Sequence, residues 1–306
     1  MQSNPITSYF RPVRGRRPRA TAHHRQLSRK EILRLIAEET NELLPGILSL
    51  RPDAPPIGQL CHGSDTEALD PDLSPRLTTE VEITFGDSFD VATGLDPSLQ
   101  PYNQTNARHV CILNMANAKR PGGGWLNGAL AQEEALCYRS SLSSTLKRRY
   151  YPLRFLGAIY SPTVVIFRKS FDQGHEMMNL QEPHLFPVVS VISVAAIENP
   201  ELDHRHDPPK YKDPRMRAGM KNKMRMVLRI AAHRKHRRIV LGALGCGAFG
   251  NPNVEVADCW AEVLQEPEFQ GWWEKIVFAI LDDAKTLSQG NGNFDVFRGR
   301  LHGMKV

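Results

Sequence analysis

Gln132, Glu133 and Glu134 place an amide and two carboxylates side by side, just ahead of a segment with apolar residues at helical spacing. Carboxyl groups are of the residue type that gives and takes protons in general acid–base catalysis. A plainer reading is also open, because acidic side chains are favoured in the first turn of any helix. Seven residues separate this triplet from Gly122, Gly123 and Gly124. A run of glycines gives up backbone order, and the usual return is close approach of another group to the main chain. Asn114 and Asn117 precede the glycines, within Asn-Met-Ala-Asn.

The flanking residues say what must hold these groups. Residues 109–113 read as a short buried strand, and residues 135–146 carry Ala135, Leu136, Tyr138, Leu142 and Leu146 at helical spacing. The glycine stretch is therefore a strand-to-helix loop, the place where α/β proteins put ligands. A second loop of this type is Gly245-Cys246-Gly247-Ala248-Phe249-Gly250, after an apolar strand over residues 238–244 and before a helix over residues 253–265. It fits G-x-G-x-x-G in form. A dinucleotide-binding reading also needs an acid about 20 residues on, at the next strand end. Here that acid is Asp282, 32 residues past Gly250, so hydride transfer is disfavoured. The physics of the loop remains: N–H groups at a helix start attract an anion such as a diphosphate. Two such loops at strand ends would face one crevice.

The combination of Asn117, Pro121-Gly122-Gly123-Gly124 and Gln132-Glu133-Glu134 resembles the motif of bacterial- and fungal-type poly(ADP-ribose) glycohydrolases, within the macrodomain superfamily. The likeness runs from about residue 31 to residue 301. It implies an α/β fold, a three-layer α/β/α macrodomain-like mixed sheet with an N-terminal helical extension. It implies hydrolysis of the ribose–ribose bonds of poly(ADP-ribose) with no cofactor and no metal. Glu134 would act first as acid and then as base, Glu133 would bind sugar hydroxyls, and Gln132 would brace the site. Asn117 and Gly122, Gly123 and Gly124 would hold the distal ribose and its phosphate. Gly245, Cys246, Gly247, Ala248 and Gly250 would hold the diphosphate, with Phe249 against the distal ribose. The chain departs from the family at Phe167-Arg168-Lys169, where Phe-Arg-Asp is usual, and at residues 194–199, Val-Ala-Ala-Ile-Glu-Asn. Both departures touch rim or adenine-side contacts; Phe85 and Phe297 are aromatic candidates for the base. Two other functions stay open: a non-catalytic ADP-ribose reader, which has no need of an acid pair, and a mono-ADP-ribosyl hydrolase.

Residues 1–30 hold eight Lys/Arg and no Asp/Glu; the whole chain carries +6, which leaves −2 for the rest. The folded part is thus not a general nucleic-acid binder. Residues 1–27 are expected to be a disordered basic tail, residues 28–79 an accessory region opened by a helix capped at Ser28 and ended by Pro45-Gly46, and residues 80–306 the catalytic domain. In the tail, Ile6, Tyr9 and Phe10 share one side of a helical turn and resemble the peptide that docks on the PCNA clamp, though Ser3 stands where a glutamine is usual. With the following arginines this points to a nuclear protein acting on ADP-ribosylated proteins at replicating or repaired DNA. No apolar run is long enough to span a membrane. Cys61, Cys111, Cys137, Cys246 and Cys259 show no paired spacing, and His204 and His206 lie in a polar loop, so neither disulfides nor a metal are expected. A monomer is expected.

Overall fold

A computed structural model describes residues 27–95 and 108–306. The expected tail, with Ile6, Tyr9 and Phe10, lies outside the described residues. A seven-stranded sheet organises the molecule. Its strands are β1 (Gln59–His62), β2 (Val81–Phe85), β3 (Cys111–Met115), β4 (Gly157–Val165), β5 (Val188–Val194), β8 (Arg238–Leu241) and β9 (Lys275–Ile280), in the order β1-β4-β5-β3-β8-β9-β2. From β5 to β2 every neighbour is parallel, while β4 runs antiparallel to β1 and β5. A small hairpin of β6 (Leu202–Asp203) and β7 (Lys210–Tyr211) stands apart from it, in a segment whose sequence reads as a charged loop.

Side-chain alternation divides the core into two layers. On one face, Cys111, Leu113, Ile239 and Leu241 pack with Met220, Met224 and Val227 of α5 (Pro214–His233), Trp260 of α6 (Asn253–Leu264) and Phe297 of α8 (Asn293–Leu301). On the other, Val110, Ile112, Val191 and Val240 pack with Leu33 of α1 (Arg29–Leu50), Phe89 of α2 (Ser88–Leu95), Leu136 of α3 (Gln132–Arg139) and Leu142 of α4 (Leu142–Thr145). The short α7 spans Ala284–Gln289. This is the three-layer α/β/α arrangement expected, and the α5 methionines are core. Phe297 is fully buried against Phe278, which removes it from any ligand contact.

Three local expectations change. Pro45 does not end α1, which continues to Leu50. Proline inside a helix costs about 3 kcal/mol. Burial of Leu44 and Ile47 against Phe167, Phe186 and Val188 offsets that cost. The helix expected over residues 135–146 breaks at extended Ser140 into α3 and α4, where Ser140 bridges to Ile166 and Ser141 Oγ accepts from Val165 N–H. The two short strands expected around residue 163 are one strand, β4, with an irregularity between Ser161 and Val164. The Ser28 cap is as expected: Ser28 Oγ accepts from Glu31 N–H at 3.3 Å, and Glu31 Oε2 accepts from Ser28 N–H at 2.8 Å.

Candidate active site

The carboxyl ends of β3, β5 and β8 open into a cleft of about 230 Å³. Asn117, Gln132, Glu133, Glu134, Ala196, Ala243, Gly245, Gly247, Ala248 and Phe249 line it. The two ends of the first loop, Asn117 and residues 131–134, thus meet the second glycine loop, more than 100 residues away in sequence, in one cleft, whereas Gly122, Gly123 and Gly124 stand behind the glutamates and do not line it.

Helix α3 supplies the carboxylates, and backbone geometry aims them. Ala131, at the helix start, has no polar side chain to satisfy the first turn. Glu134 reaches back instead: its Oε2 accepts from Ala131 N–H at 3.0 Å, and its Oε1 accepts from Gly124 N–H at 2.8 Å. The plain reading and the chemical one thus coincide in one residue, which caps the helix and faces the cleft. Glu133 is 3 % exposed. Its Oε2 accepts from Asn117 N–H at 2.7 Å, and its Oε1 lies 3.4 Å from Asn114 Nδ2. Burial raises its pKa to about 8, helped by the Glu134 charge and opposed by these hydrogen bonds. Gln132 braces the helix on the sheet. Its Oε1 accepts from Met115 N–H at 2.9 Å, while Nε2 donates to Leu113 O at 2.8 Å and Ser88 Oγ at 3.2 Å. At its far end α3 is tied to α2 by Arg139, buried between Asp87 and Asp90.

The first glycine loop must make room for those carboxylates. Gly122 and Gly123 have φ of +68° and +59°. A Cβ on Gly123 would fall 2.3 Å from Glu134 Oε1 and 3.1 Å from Glu133 Oε2. Only glycine lets the main chain pass this close to both acids. Asn117 Oδ1 accepts from Lys119 and Arg120 N–H, shaping the turn before the glycines. Tyr138 donates to the carbonyls of Trp125 and Ala129 and fixes the loop from beneath.

The second loop precedes α6. Gly245 has φ +79°, and a Cβ there would strike Asn251 and Ala196. Asn251 Nδ2 donates to Ile197 O and Gly245 O, and its Oδ1 accepts from Tyr211 OH at 2.8 Å. Gly247 and Ala248 are exposed, and a Cβ on Gly247 would meet nothing within 4 Å. Gly250 closes the loop at φ +65°. Cys246 is only partly exposed, and its thiol contacts Leu244 O at 3.9 Å beside the core rather than lining the cleft.

Sequence reasoning gave no role to Ser193, Asn251 or Tyr211; Asn114 entered it only within Asn-Met-Ala-Asn, and Ala196 only within the departing run of residues 194–199. Asn114 and Ser193 carried one signal, a polar residue inside an apolar strand. Of the departures noted above, Arg168 points away from the cleft, toward Glu39 and Thr40 of α1, and Lys169 pairs with Glu176 at the surface. Ala196 does line the cleft, and Glu198 forms a 2.7 Å ion pair with Lys119 between the two rims. A wider cleft of about 750 Å³ adjoins the first through Met115, Gln132, Ala243, Gly247 and Ala248, and reaches Phe85, Ile280 and Asp282. Phe85 is 46 % exposed and meets Phe294 edge-on. Among the described residues no cluster of His, Cys, Asp or Glu could hold a metal ion, and no helix is long and apolar enough to cross a membrane.

Residues 61–169 match the family model described as microbial-type PARG, catalytic domain. That span contains the first glycine loop and the Gln-Glu-Glu triplet. Among solved structures, poly(ADP-ribose) glycohydrolase from Thermomonospora curvata superposes with a TM-score of 0.68 at 25% identity, over 88% of this chain and 98% of that one. The same protein bound to the inhibitor ADP-HPD gives 0.66. Poly(ADP-ribose) glycohydrolase from Deinococcus radiodurans in complex with ADP-ribose gives 0.63 at 28% identity, over 84% of this chain and 97% of that one. No curated protein sequence matches. The resemblance drawn from the motif is thereby shown, in sequence over residues 61–169 and in fold over most of the chain.

Proposed function

From that kinship, we propose that this chain is a poly(ADP-ribose) glycohydrolase that cleaves ribose–ribose O-glycosidic bonds and releases ADP-ribose. One observation carries the reading: two carboxylates at the start of α3 share a cleft with the open Gly247-Ala248 backbone ahead of α6. A diphosphate on those N–H groups sets the attached distal ribose against Glu133 and Glu134. Among the described residues the smaller cleft has no Lys or Arg in its lining, so backbone dipoles hold the anion. Glu134 passes a proton to the leaving 2′-oxygen as the glycosidic C–O bond breaks. Water then adds to the oxocarbenium-like carbon and returns a proton to Glu134. Glu133 accepts hydrogen bonds from the ribose hydroxyls, Phe249 packs on the sugar, and Gln132 keeps α3 in register with β3. The wider cleft offers Phe85 and Ile280 as an apolar wall for the adenine.

The deciding experiment incubates the protein with poly(ADP-ribose) of defined length and, separately, with a mono-ADP-ribosylated protein. Release of ADP-ribose from the polymer is expected. Binding without turnover makes the chain a reader, and turnover of the mono-modified protein alone makes it a mono-ADP-ribosyl hydrolase. Our reading of the tail is that Ile6, Tyr9 and Phe10 dock a nuclear, monomeric enzyme on the PCNA clamp. A peptide of residues 1–20 titrated into the clamp should bind at roughly micromolar affinity, since it must order on binding. Tyr9→Ala/Phe10→Ala should abolish that binding.

A further inference from the structure

Strand β3 is buried along its length, and its fourth residue is an asparagine, Asn114, with no solvent exposure. An amide in such a place costs stability unless its polar atoms are matched. Those of Asn114 are matched only on one side. Nδ2 donates to Ser193 Oγ at 2.9 Å and points to Glu133 Oε1 at 3.4 Å, while Oδ1 is buried without a partner among the described residues. Asn114 and Ser193 sit opposite each other in the parallel β3–β5 register. They share the face that carries Ile112 and Val191, the face on which α3 lies. Ser193 is itself fully buried in β5, where every residue but it and Ser190 is valine or isoleucine. Two polar residues are thus stacked in adjacent central strands directly beneath a glutamate of the cleft. Packing alone would favour a valine or leucine pair at both positions.

We propose that Asn114, held by Ser193, is a positioning residue that fixes the Glu133 carboxylate toward the cleft and supports its anionic form. The amide N–H is the one side-chain donor on Glu133; its other hydrogen bonds come from the main chain of Asn117 and Gly122. With one amide hydrogen donated to Ser193 Oγ, the other is left toward Glu133 Oε1. An anionic Glu133 accepts from ribose hydroxyls; a neutral one has a single proton to give and is turned by it. This inference rests on the glycohydrolase reading of the site.

The test measures turnover of poly(ADP-ribose) against pH for wild type, Asn114→Leu and Ser193→Ala, with Glu134→Gln as a parallel control. Loss of the donor favours neutral Glu133. The rising limb of kcat against pH should therefore move to higher pH in Asn114→Leu, with kcat reduced about 10- to 100-fold by misplacement of the carboxylate. Ser193→Ala should shift the limb in the same direction by less. A limb that stays in place in both variants, whatever happens to stability, overturns the proposal. If Asn114→Leu does not fold, Ser193→Ala decides by the same criterion. Full activity in Glu134→Gln would instead overturn the glycohydrolase reading on which this inference stands.

Discussion

At the scale of single residues the two glutamates divide their work by environment. Both line the cleft, Glu134 bound by two main-chain N–H groups and Glu133 the more deeply buried. Replacing the proton donor should cost ~10²- to 10⁴-fold in turnover. Glu134→Gln is therefore expected to lose that much activity while ADP-ribose affinity by calorimetry stays within a few-fold. A variant with more than half its activity would remove Glu134 from its role. Glu133 gives a separate prediction through stability. Its folded pKa of about 8 lies above the ordinary 4.5, so the folded protein keeps this proton between those pH values. The contribution is present below pH 4.5 and is lost as pH rises toward 8. Glutamine has no proton to lose. The melting temperature of Glu133→Gln relative to wild type should thus climb between pH 4.5 and 8, and a flat difference would contradict the raised pKa.

Loops and helices decide whether those residues meet. The sequence made the two loops legible because each has a chemical signature, glycines after an apolar strand and acids or a helix start behind. It also made most strands legible through alternation, as in Val81, Ile83 and Phe85. What escaped it depends on contacts distant in sequence. Burial of Leu44 and Ile47 against residues more than 100 positions away carries α1 through Pro45, and the bridge from Ser140 to Ile166 splits the helix after Arg139. Asn114 was visible within Asn-Met-Ala-Asn, but its contacts with Ser193 and Glu133 were not. Two predictions belong to the loops. Gly123→Ala forces a side chain into Glu134 Oε1 at a positive φ, so turnover should fall ~10²-fold or more by displacement of the acid. Steady-state kinetics with circular dichroism separates this from unfolding, and near-normal kcat would mean the loop yields freely. Gly247→Val has open space to enter, so the fold should survive. Its branched side chain would cover the N–H groups proposed for the diphosphate, and ADP-ribose affinity should drop by ~10-fold or more. Unchanged affinity in calorimetry would take Gly247 out of the site.

Charge separates the parts of the whole molecule. Residues 1–26 carry six Lys/Arg and no Asp/Glu, and the chain totals +6, so residues 27–306 are formally neutral. Within the folded part many cations are already committed: Arg217, Lys221, Arg225 and Arg229 run along α5 and pair with Glu262, Glu266 and Glu268. Among the described residues the smaller cleft shows two carboxylates and no cationic side chain. An anionic ligand held there depends on fixed N–H dipoles at short range, which salt screens far less than it screens exposed charges a Debye length apart. ADP-ribose affinity in the full chain should therefore change by less than about threefold between 50 and 300 mM NaCl. Long poly(ADP-ribose) differs in its many phosphates, which the arginines of residues 11–19 can attract as well. Its binding should weaken steeply with salt, on the order of one power of concentration for each cation engaged. Replacing Arg11, Arg14, Arg16, Arg17 and Arg19 together by serine should flatten that dependence and leave the ADP-ribose titration unchanged. A steep salt slope for ADP-ribose itself, persisting in the serine variant, would mean that cations of the folded part enter the site on binding, with Arg29 at the wider cleft and Arg120 beyond Asn117 the first to replace.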